Sequence, residues 1–183
     1  MNLPNWLTIT RILMIPVFIL FFYTGIPYWN FYAALVFVLA FITDILDGQI
    51  ARRKNHISDF GKLMDPIADK MLVASALIMM CSFDMLSPIA AVIILSREFV
   101  VSGFRAFAAA NGCVIAAGAL GKLKTIFQAI ALTLLLLENF LFEDIGVPMA
   151  DIMLWTAVVL TVVSGIHYIY QGRHLFKKGE AES

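Results

Sequence analysis

Residues 43–70 have the sequence TDILDGQIARRKNHISDFGKLMDPIADK and join two long apolar runs, residues 29–51 and 60–82. The segment contains five aspartates, and four of them lie inside those apolar runs. A helix needs about 20 predominantly apolar residues to cross the hydrocarbon core of a bilayer, and both runs reach that length. Carboxylates inside such segments are costly and mark functional sites, so this segment predicts two neighbouring membrane helices that carry a site.

The composition also indicates a membrane protein. Of the 183 residues, 61% are hydrophobic and 14% are charged, whereas ordinary soluble domains contain about a quarter charged residues. We therefore predict an all-α, polytopic membrane protein with six transmembrane helices and little room for a soluble domain. Residues 1–172 form a single predicted membrane domain, and residues 173–183 form a short polar tail. The predicted spans are residues 6–24, 29–51, 60–82, 86–109, 118–139 and 149–171.

The distribution of basic residues predicts the orientation in the membrane. The first, third and fifth connections between the predicted spans contain no Lys or Arg, and nearly all 13 basic residues lie on the opposite side. By the positive-inside rule, both termini and the two basic connections are expected in the cytoplasm. The first apolar run has no basic segment before it and no AxA-like site after it. We interpret it as a retained helix rather than a cleaved signal, in a multi-pass protein of the cytoplasmic membrane.

The aspartates form two pairs at helical spacing. Asp44 and Asp47 are three residues apart near the end of the second span, and Asp65 and Asp69 are four apart near the start of the third. Residues three or four apart share one face of a helix. At a rise of about 1.5 Å per residue, the first pair lies on the order of 7–12 Å below the end of its helix. The four carboxylates are therefore expected to converge between helices 2 and 3, just inside the cytoplasmic surface.

Carboxylates in this arrangement need a cation. Hard oxygen ligands without nearby His or Cys suit Mg²⁺ or Mn²⁺, and four carboxylates are enough for a site with two divalent cations. The alternative is a set of structural ion pairs with Arg52, Lys62 and Lys70. We assign a separate, structural role to Asp59, because it follows Ser58 in the connection and is placed as a helix N-cap or first-turn charge.

The spacing of this segment resembles the complete signature of the CDP-alcohol phosphotransferase family. Three further stretches resemble its phosphatidylglycerophosphate synthase branch, so that the resemblance covers nearly the whole chain; they are NLPNWLTITR at 2–11, SREFVVSGFR at 96–105 and GKLKT at 121–125. The motif positions are Asp44-x₂-Asp47-Gly48-x₂-Ala51-Arg52-x₈-Gly61-x₃-Asp65-x₃-Asp69.

The resemblance implies a reaction in which an alcohol displaces CMP from a CDP-linked substrate. In the synthase branch the substrates are CDP-diacylglycerol and sn-glycerol 3-phosphate, and the products are phosphatidylglycerophosphate and CMP. It further implies that the four motif aspartates (Asp44, Asp47, Asp65 and Asp69) surround two divalent cations, Mg²⁺ or Mn²⁺, and that Asp69 is the general base. Gly48, Ala51, Arg52 and Gly61 are then expected to line the CDP-diacylglycerol pocket. Homodimers are usual in this family. We expect membrane lipids as further partners and no binding to nucleic acid.

The second substrate needs an anion site. Arginine suits a phosphate because its planar guanidinium binds two oxygens at once. For Lys122 and Lys124 the alternative is an interfacial charge that sets topology, and for Arg11 a plain interfacial anchor. Glu98 is seven residues from Arg105 and is an alternative partner that would orient or neutralise it. The candidates for binding the glycerol 3-phosphate are Arg97, Arg105, Lys122, Lys124 and Arg11.

Two other functions account for part of this pattern. A related enzyme that uses inositol phosphate, serine or phosphatidylglycerol as its acceptor would carry the same aspartates, although the cationic set favours a phosphorylated acceptor. A divalent-cation transporter would also need intramembrane carboxylates. It would not explain Arg52, the glycines at fixed spacing or the basic residues around the fourth connection.

Overall fold

The computed structural model describes six α-helices and no strand within the part of the chain that it covers. The helices are α1 (Leu3–Tyr23), α2 (Trp29–Lys54), α3 (Asp59–Ser82), α4 (Pro88–Ala110), α5 (Ala119–Leu136) and α6 (Met149–Gly179). The described backbone comprises residues 3–54, 59–110, 118–138, 140, 142 and 146–179. Side chains are described for residues 9–45, 67–68, 70–109, 118–138, 140, 142 and 146–170.

The all-helical class is confirmed, and the bounds of most helices lie within three residues of the predicted spans. The exception is α6, which continues through residues 172–179, where the sequence predicts the beginning of a polar tail. A helix needs helical propensity and backbone hydrogen bonds rather than an apolar composition, so hydropathy underestimates its length.

Two of the described helices, Ala119–Leu136 and Met149–Tyr170, are long and apolar enough to cross a membrane. Shorter apolar helical stretches are Ile9–Tyr23, Trp29–Ile45 and Lys70–Ser82. The described helices are consistent with a membrane protein, and the count of six spans stays a prediction.

The connections between helices turn at residues with positive φ. Gly25 and Tyr28, both with φ of 62°, shape the link between α1 and α2, and Asp84 at 57° follows α3. Pro88 occupies the first position of α4. Proline is well suited to that position because its fixed φ matches a helix and the missing N–H has no intrahelical partner there.

Helix contacts divide the chain into two units. A single domain over residues 1–172 stays a prediction. Unit 1 comprises residues 1–86 and 132–150. In it α1 packs against both α2 and α3, and Phe18 is completely buried. The ring of Phe22 lies 4.8 Å from that of Trp29 and 5.1 Å from that of Phe83. These rings join the end of α1, the start of α2 and the residue that follows α3.

Unit 2 comprises residues 87–131 and 151–183, and thus contains α4, most of α5 and most of α6. Its apolar interior includes Ile94 of α4 and Ala157 of α6, both with no exposed surface. Phe104 and Tyr168 meet edge to face with ring centroids 6.1 Å apart. Like unit 1, which encloses Arg11, this unit encloses a charged side chain, that of Lys124.

Candidate active site

In unit 1, Arg11 of α1 forms an ion pair with Asp44 of α2, with Nη1 and Oδ1 2.7 Å apart. The arginine side chain is 1% exposed and the aspartate side chain 34% exposed. A buried guanidinium is stable only when a carboxylate or other acceptors compensate its charge. This contact therefore ties the first helix to the first aspartate of the motif. The sequence singled out both residues but did not pair them.

The other motif residues are placed by the backbone alone. Asp47 lies one helical turn after Asp44 in α2, and Asp65 and Asp69 lie one turn apart in α3. The helical spacing predicted for both aspartate pairs is thus present, and α2 contacts α3. The side chains of Asp47, Asp65 and Asp69 lie outside the described residues. The same holds for the candidate nucleotide-pocket residues Gly48, Ala51, Arg52 and Gly61.

Asp59 is the first residue of α3. This agrees with its predicted position in the first turn of a helix, where a carboxylate interacts favourably with the helix dipole. Its side chain also lies outside the described residues.

The donor chemistry of unit 1 fits a divalent cation. Asp44 faces the guanidinium of Arg11, and its side chain is 34% exposed. The helical register supplies three further carboxylates on the two helices, and the motif offers oxygen rather than nitrogen or sulfur ligands. Such ligands match the preference of Mg²⁺ and Mn²⁺.

In unit 2, an ion pair joins α4 to α5. The ammonium of Lys124 contacts the Oε1 oxygen of Glu98, and the lysine is 1% exposed while the glutamate is 19% exposed. Arg97 Nη1 lies 3.7 Å from the same oxygen. One carboxylate thus faces two cations, and the three side chains together carry a net charge of +1.

Arg97 is also held by α6. Its Nη2 donates a hydrogen bond to the hydroxyl oxygen of Ser164 at 3.1 Å, and its side chain is 15% exposed. Two glycines flank the arginine. A Cβ added at Gly165 would lie 3.2 Å from Arg97 Cγ, and one added at Gly121 would lie 3.6 Å from Arg97 Nη2. Their lack of a side chain leaves room for the arginine.

The remaining acceptor candidates are solvent-accessible. Arg105 lies two turns after Arg97 in α4 and is exposed, and Lys122 near the start of α5 is also exposed. Lys124 differs from Lys122 in being buried against Glu98. The five predicted acceptor residues are therefore in different environments: Arg11 and Lys124 are buried in ion pairs, Arg97 is partly buried, and Arg105 and Lys122 are open.

Sequence reasoning missed two of these contacts. The sequence offers Glu98 as an alternative partner of Arg105, whereas in the structure Glu98 contacts Lys124 and Arg97. The sequence did contain a signal for the contact between Glu98 and Lys124. Both charged residues lie in apolar runs, where each needs a counter-charge. Ser164 was not singled out, and nothing in its surroundings in the sequence distinguishes it from other membrane-helix serines.

Comparison with known proteins shows which family this chain is similar to. The family model described as CDP-alcohol phosphatidyltransferase matches residues 1–163. A relative from Bacillus subtilis (strain 168) is 43% identical over 179 residues, which covers 91% of this chain and 93% of the relative. One from Rickettsia typhi is 45% identical, covering 91% and 94%, and one from Sodalis glossinidius is 39% identical, covering 95% and 96%. Each of the three is named CDP-diacylglycerol–glycerol-3-phosphate 3-phosphatidyltransferase.

Proposed function

The chain belongs to the CDP-alcohol phosphatidyltransferase family, and from that premise we propose that it transfers the phosphatidyl group of CDP-diacylglycerol to sn-glycerol 3-phosphate. The products are phosphatidylglycerophosphate and CMP, and the process served is phospholipid synthesis. The observation that carries the proposal is that relatives matching 91–95% of the chain are named for this reaction. The complete aspartate motif supports it independently, because it supplies the charged groups that the reaction needs.

In the proposed arrangement, the chain crosses the cytoplasmic membrane six times with both termini and the active site on the cytoplasmic side. The positive-inside distribution of Lys and Arg supports this orientation. It suits the substrates, because the acyl chains of CDP-diacylglycerol stay in the bilayer while the charged acceptor arrives from the cytoplasm.

We assign the binding of two divalent cations, Mg²⁺ or Mn²⁺, to Asp44, Asp47, Asp65 and Asp69. When bound, such cations neutralise the diphosphate and stabilise CMP as a leaving group. The contact with Arg11 supports this role for Asp44, since it restricts the orientation of the carboxylate. A fixed and charged ligand loses less conformational entropy when it binds an ion.

Asp69 is assigned as the general base. In the transfer, a hydroxyl oxygen of the acceptor bonds to the phosphorus that carries diacylglycerol, while the bond from that phosphorus to CMP breaks. Asp69 takes the proton that the hydroxyl releases. Removing a proton in the transition state is typically worth about 10²–10⁴-fold in rate.

Gly48, Ala51, Arg52 and Gly61 are assigned to the cytidine diphosphate. Small residues let the diphosphate approach the helix backbone closely, and the guanidinium of Arg52 can pair with its oxygens. All four positions belong to the family motif.

The phosphate of the acceptor is assigned to Arg97, Arg105 and Lys122. The partial exposure of Arg97 and the open position of the other two support this assignment. Lys124 and Arg11 contribute through the carboxylates that they neutralise, because each is buried against one. Direct contact of either residue with the phosphate stays a prediction.

The experiment that tests the function uses purified protein in detergent with CDP-diacylglycerol, Mg²⁺ or Mn²⁺, and a panel of alcohols. CMP release that depends on sn-glycerol 3-phosphate is the expected result. Release with inositol phosphate, serine or phosphatidylglycerol instead would assign a different acceptor. Absence of CMP with every acceptor, together with metal flux in liposomes, would overturn the enzymatic function. Light scattering of the same preparation tests the homodimer implied by the resemblance.

A further inference from the structure

The guanidinium of Arg97 is surrounded by parts of three helices. On α4 it faces the neighbouring Glu98, on α6 it donates to Ser164, and on α5 it lies against Gly121. Gly165 borders the aliphatic part of the same side chain. A long, flexible arginine side chain has many rotamers, so contacts on several sides restrict it to few orientations.

Ser164 is suited to accept a hydrogen bond from this arginine. The residue is buried, and its hydroxyl donates to the backbone carbonyl oxygen of Thr161 at 3.1 Å. A hydroxyl has one proton and two lone pairs. Because its proton is directed towards Thr161, the oxygen presents its lone pairs to Arg97 Nη2 at 3.1 Å. The orientation of the hydroxyl is thus fixed by the helix on which it lies.

The charge of Arg97 is only partly compensated. Glu98 is in direct contact with the buried ammonium of Lys124, whereas Arg97 Nη1 is 3.7 Å from the same carboxylate oxygen. This exceeds the usual range of about 2.7–2.9 Å for a charge-assisted hydrogen bond. In addition, the buried Nε of Arg97 has no hydrogen-bond partner among the residues that the structure describes. Arg97 therefore retains charge and N–H donors for an anion.

We infer that Ser164 is a positioning residue for the acceptor phosphate, and that it acts by orienting Arg97 in the space that Gly121 and Gly165 leave open. The inference rests on the proposed function, which makes Arg97 a phosphate ligand. It adds α6, which contributes no residue to the family motif, to the elements that determine acceptor affinity. Lys124 has the complementary role of holding Glu98 away from a direct hydrogen bond with Arg97.

The test compares Ser164→Ala with Thr156→Ala. Thr156 is on the same helix, and its hydroxyl donates to the carbonyl oxygen of Ile152 in its own helix at 2.7 Å. A hydrogen bond to a charged group is worth about tenfold or more in an equilibrium constant, so Ser164→Ala should raise the KM for sn-glycerol 3-phosphate about tenfold. The kcat of Ser164→Ala and its KM for CDP-diacylglycerol should stay within about twofold of the wild-type values. For Thr156→Ala, the kcat and both KM values should stay within the same range.

A second pair of variants tests the space around Arg97. This pair can still refute the inference if Ser164→Ala does not fold. Gly165→Ala brings a methyl group against Arg97, whereas Gly103→Ala in α4 meets no atom within 4 Å. Gly165→Ala should raise the KM for the acceptor by a smaller factor than Ser164→Ala. Gly103→Ala should leave it unchanged. Equal KM values for all the folded variants and the wild type would overturn the inference.

A binding measurement separates this inference from the proposed function. Without CDP-diacylglycerol, sn-glycerol 3-phosphate should raise the unfolding temperature of the wild type, and Ser164→Ala should need about tenfold more ligand for the same shift. If the wild type shows no turnover but still needs less ligand than Ser164→Ala for the same shift, the proposed function is refuted and the role of Ser164 in binding the acceptor is retained. Normal turnover with identical shifts in both proteins refutes the positioning role of Ser164. Absence of both turnover and shift in the wild type refutes both.

Discussion

Arg11 and Asp44 form an ion pair 2.7 Å long in which the cation is almost fully buried and the anion is about one third exposed. The two partners are therefore not equivalent. Removing the carboxylate takes a counter-charge from a guanidinium that water cannot reach. Removing the guanidinium leaves a carboxylate that water solvates in part. Loss of the carboxylate in contact with a buried cation is the more destabilising of the two.

The first prediction follows from this asymmetry. In the presence of a metal chelator, Asp44→Asn should lower the free energy of unfolding by about 3 kcal/mol. Arg11→Met should lower it by only about 1 kcal/mol, because solvent screens the remaining carboxylate. Unfolding in mixed micelles measures both values, and the double variant gives the coupling between them. Leu13→Ala on the exposed side of α1 is the control. Equal losses for the two single variants would contradict the assignment.

The second prediction separates two lysines that are two residues apart. Lys124→Met should destabilise the protein by about 2–3 kcal/mol because it leaves the partly buried Glu98 without its closest cation. Lys122→Met should change stability by less than about 0.5 kcal/mol, since Lys122 is exposed. Instead, Lys122→Met should raise the KM for sn-glycerol 3-phosphate. Thermal unfolding and initial rates, measured on the same samples, compare the two variants. A Lys124→Met variant as stable as the wild type would contradict the prediction.

The third prediction concerns the proposed base. Asp69→Asn should lower kcat by about 10²–10⁴-fold while much of the binding of CDP-diacylglycerol survives. Single-turnover CMP release and equilibrium binding of the lipid substrate measure the two properties separately. Asp59→Asn, at the first residue of α3, removes a carboxylate outside the motif and should retain turnover. Near-normal turnover of Asp69→Asn would exclude Asp69 as the base.

The fourth prediction concerns Arg105, which is exposed and seven residues beyond Glu98 in α4. Arg105→Ala should mainly raise the KM for sn-glycerol 3-phosphate and leave the unfolding temperature nearly unchanged, because no buried contact is lost. A salt bridge or hydrogen bond to a phosphate is worth about 1.5–3 kcal/mol, which corresponds to roughly a 10–150-fold change in KM. An unchanged KM would remove Arg105 from the acceptor site.

The fifth prediction is a change in stability without a change in substrate affinity. Phe18 is completely buried, and its ring lies 5.2 Å from that of Phe22 and 6.2 Å from that of Phe37. Phe18→Ala should cost about 3–5 kcal/mol in free energy of unfolding. The KM values of the folded fraction should match those of the wild type. Leu20→Ala, on the exposed side of α1, is the control with little expected effect. Altered KM values in Phe18→Ala would link this core to the site.

The sequence predicted the helices well because long apolar runs bounded by turn residues leave few alternatives for a chain of this composition. The start of α2 at Trp29 and the end of α3 at Ser82 coincide with the predicted bounds. The predicted span 149–171 matches the apolar part of α6, Met149–Tyr170, and the helix itself continues to Gly179 because helix formation does not require apolar residues. The spacing of the aspartates within each helix could be predicted directly from the sequence, since it depends only on local helical geometry.

Contacts across long separations were harder to predict. Arg97 and Ser164 are 67 residues apart, and Glu98 and Lys124 are 26 apart. Local periodicity says which residues share a face of a helix but not which face meets another helix. The need for counter-charges in an apolar environment could have paired Glu98 with Lys124. For Ser164 no such signal exists, because its partner is determined by how α4 and α6 pack.

Two contacts of different physical kinds join α1 to α2. Aromatic rings at Phe22 and Trp29 join the end of α1 to the start of α2, whereas the contact between Arg11 and Asp44, near the middle of both helices, is ionic. Apolar contacts respond little to dilute salt, while an ionic contact can be exchanged for a competing cation or anion. The contact between Phe22 and Trp29 is therefore insensitive to the ions in solution, whereas the contact between Arg11 and Asp44 depends on the ions around that carboxylate.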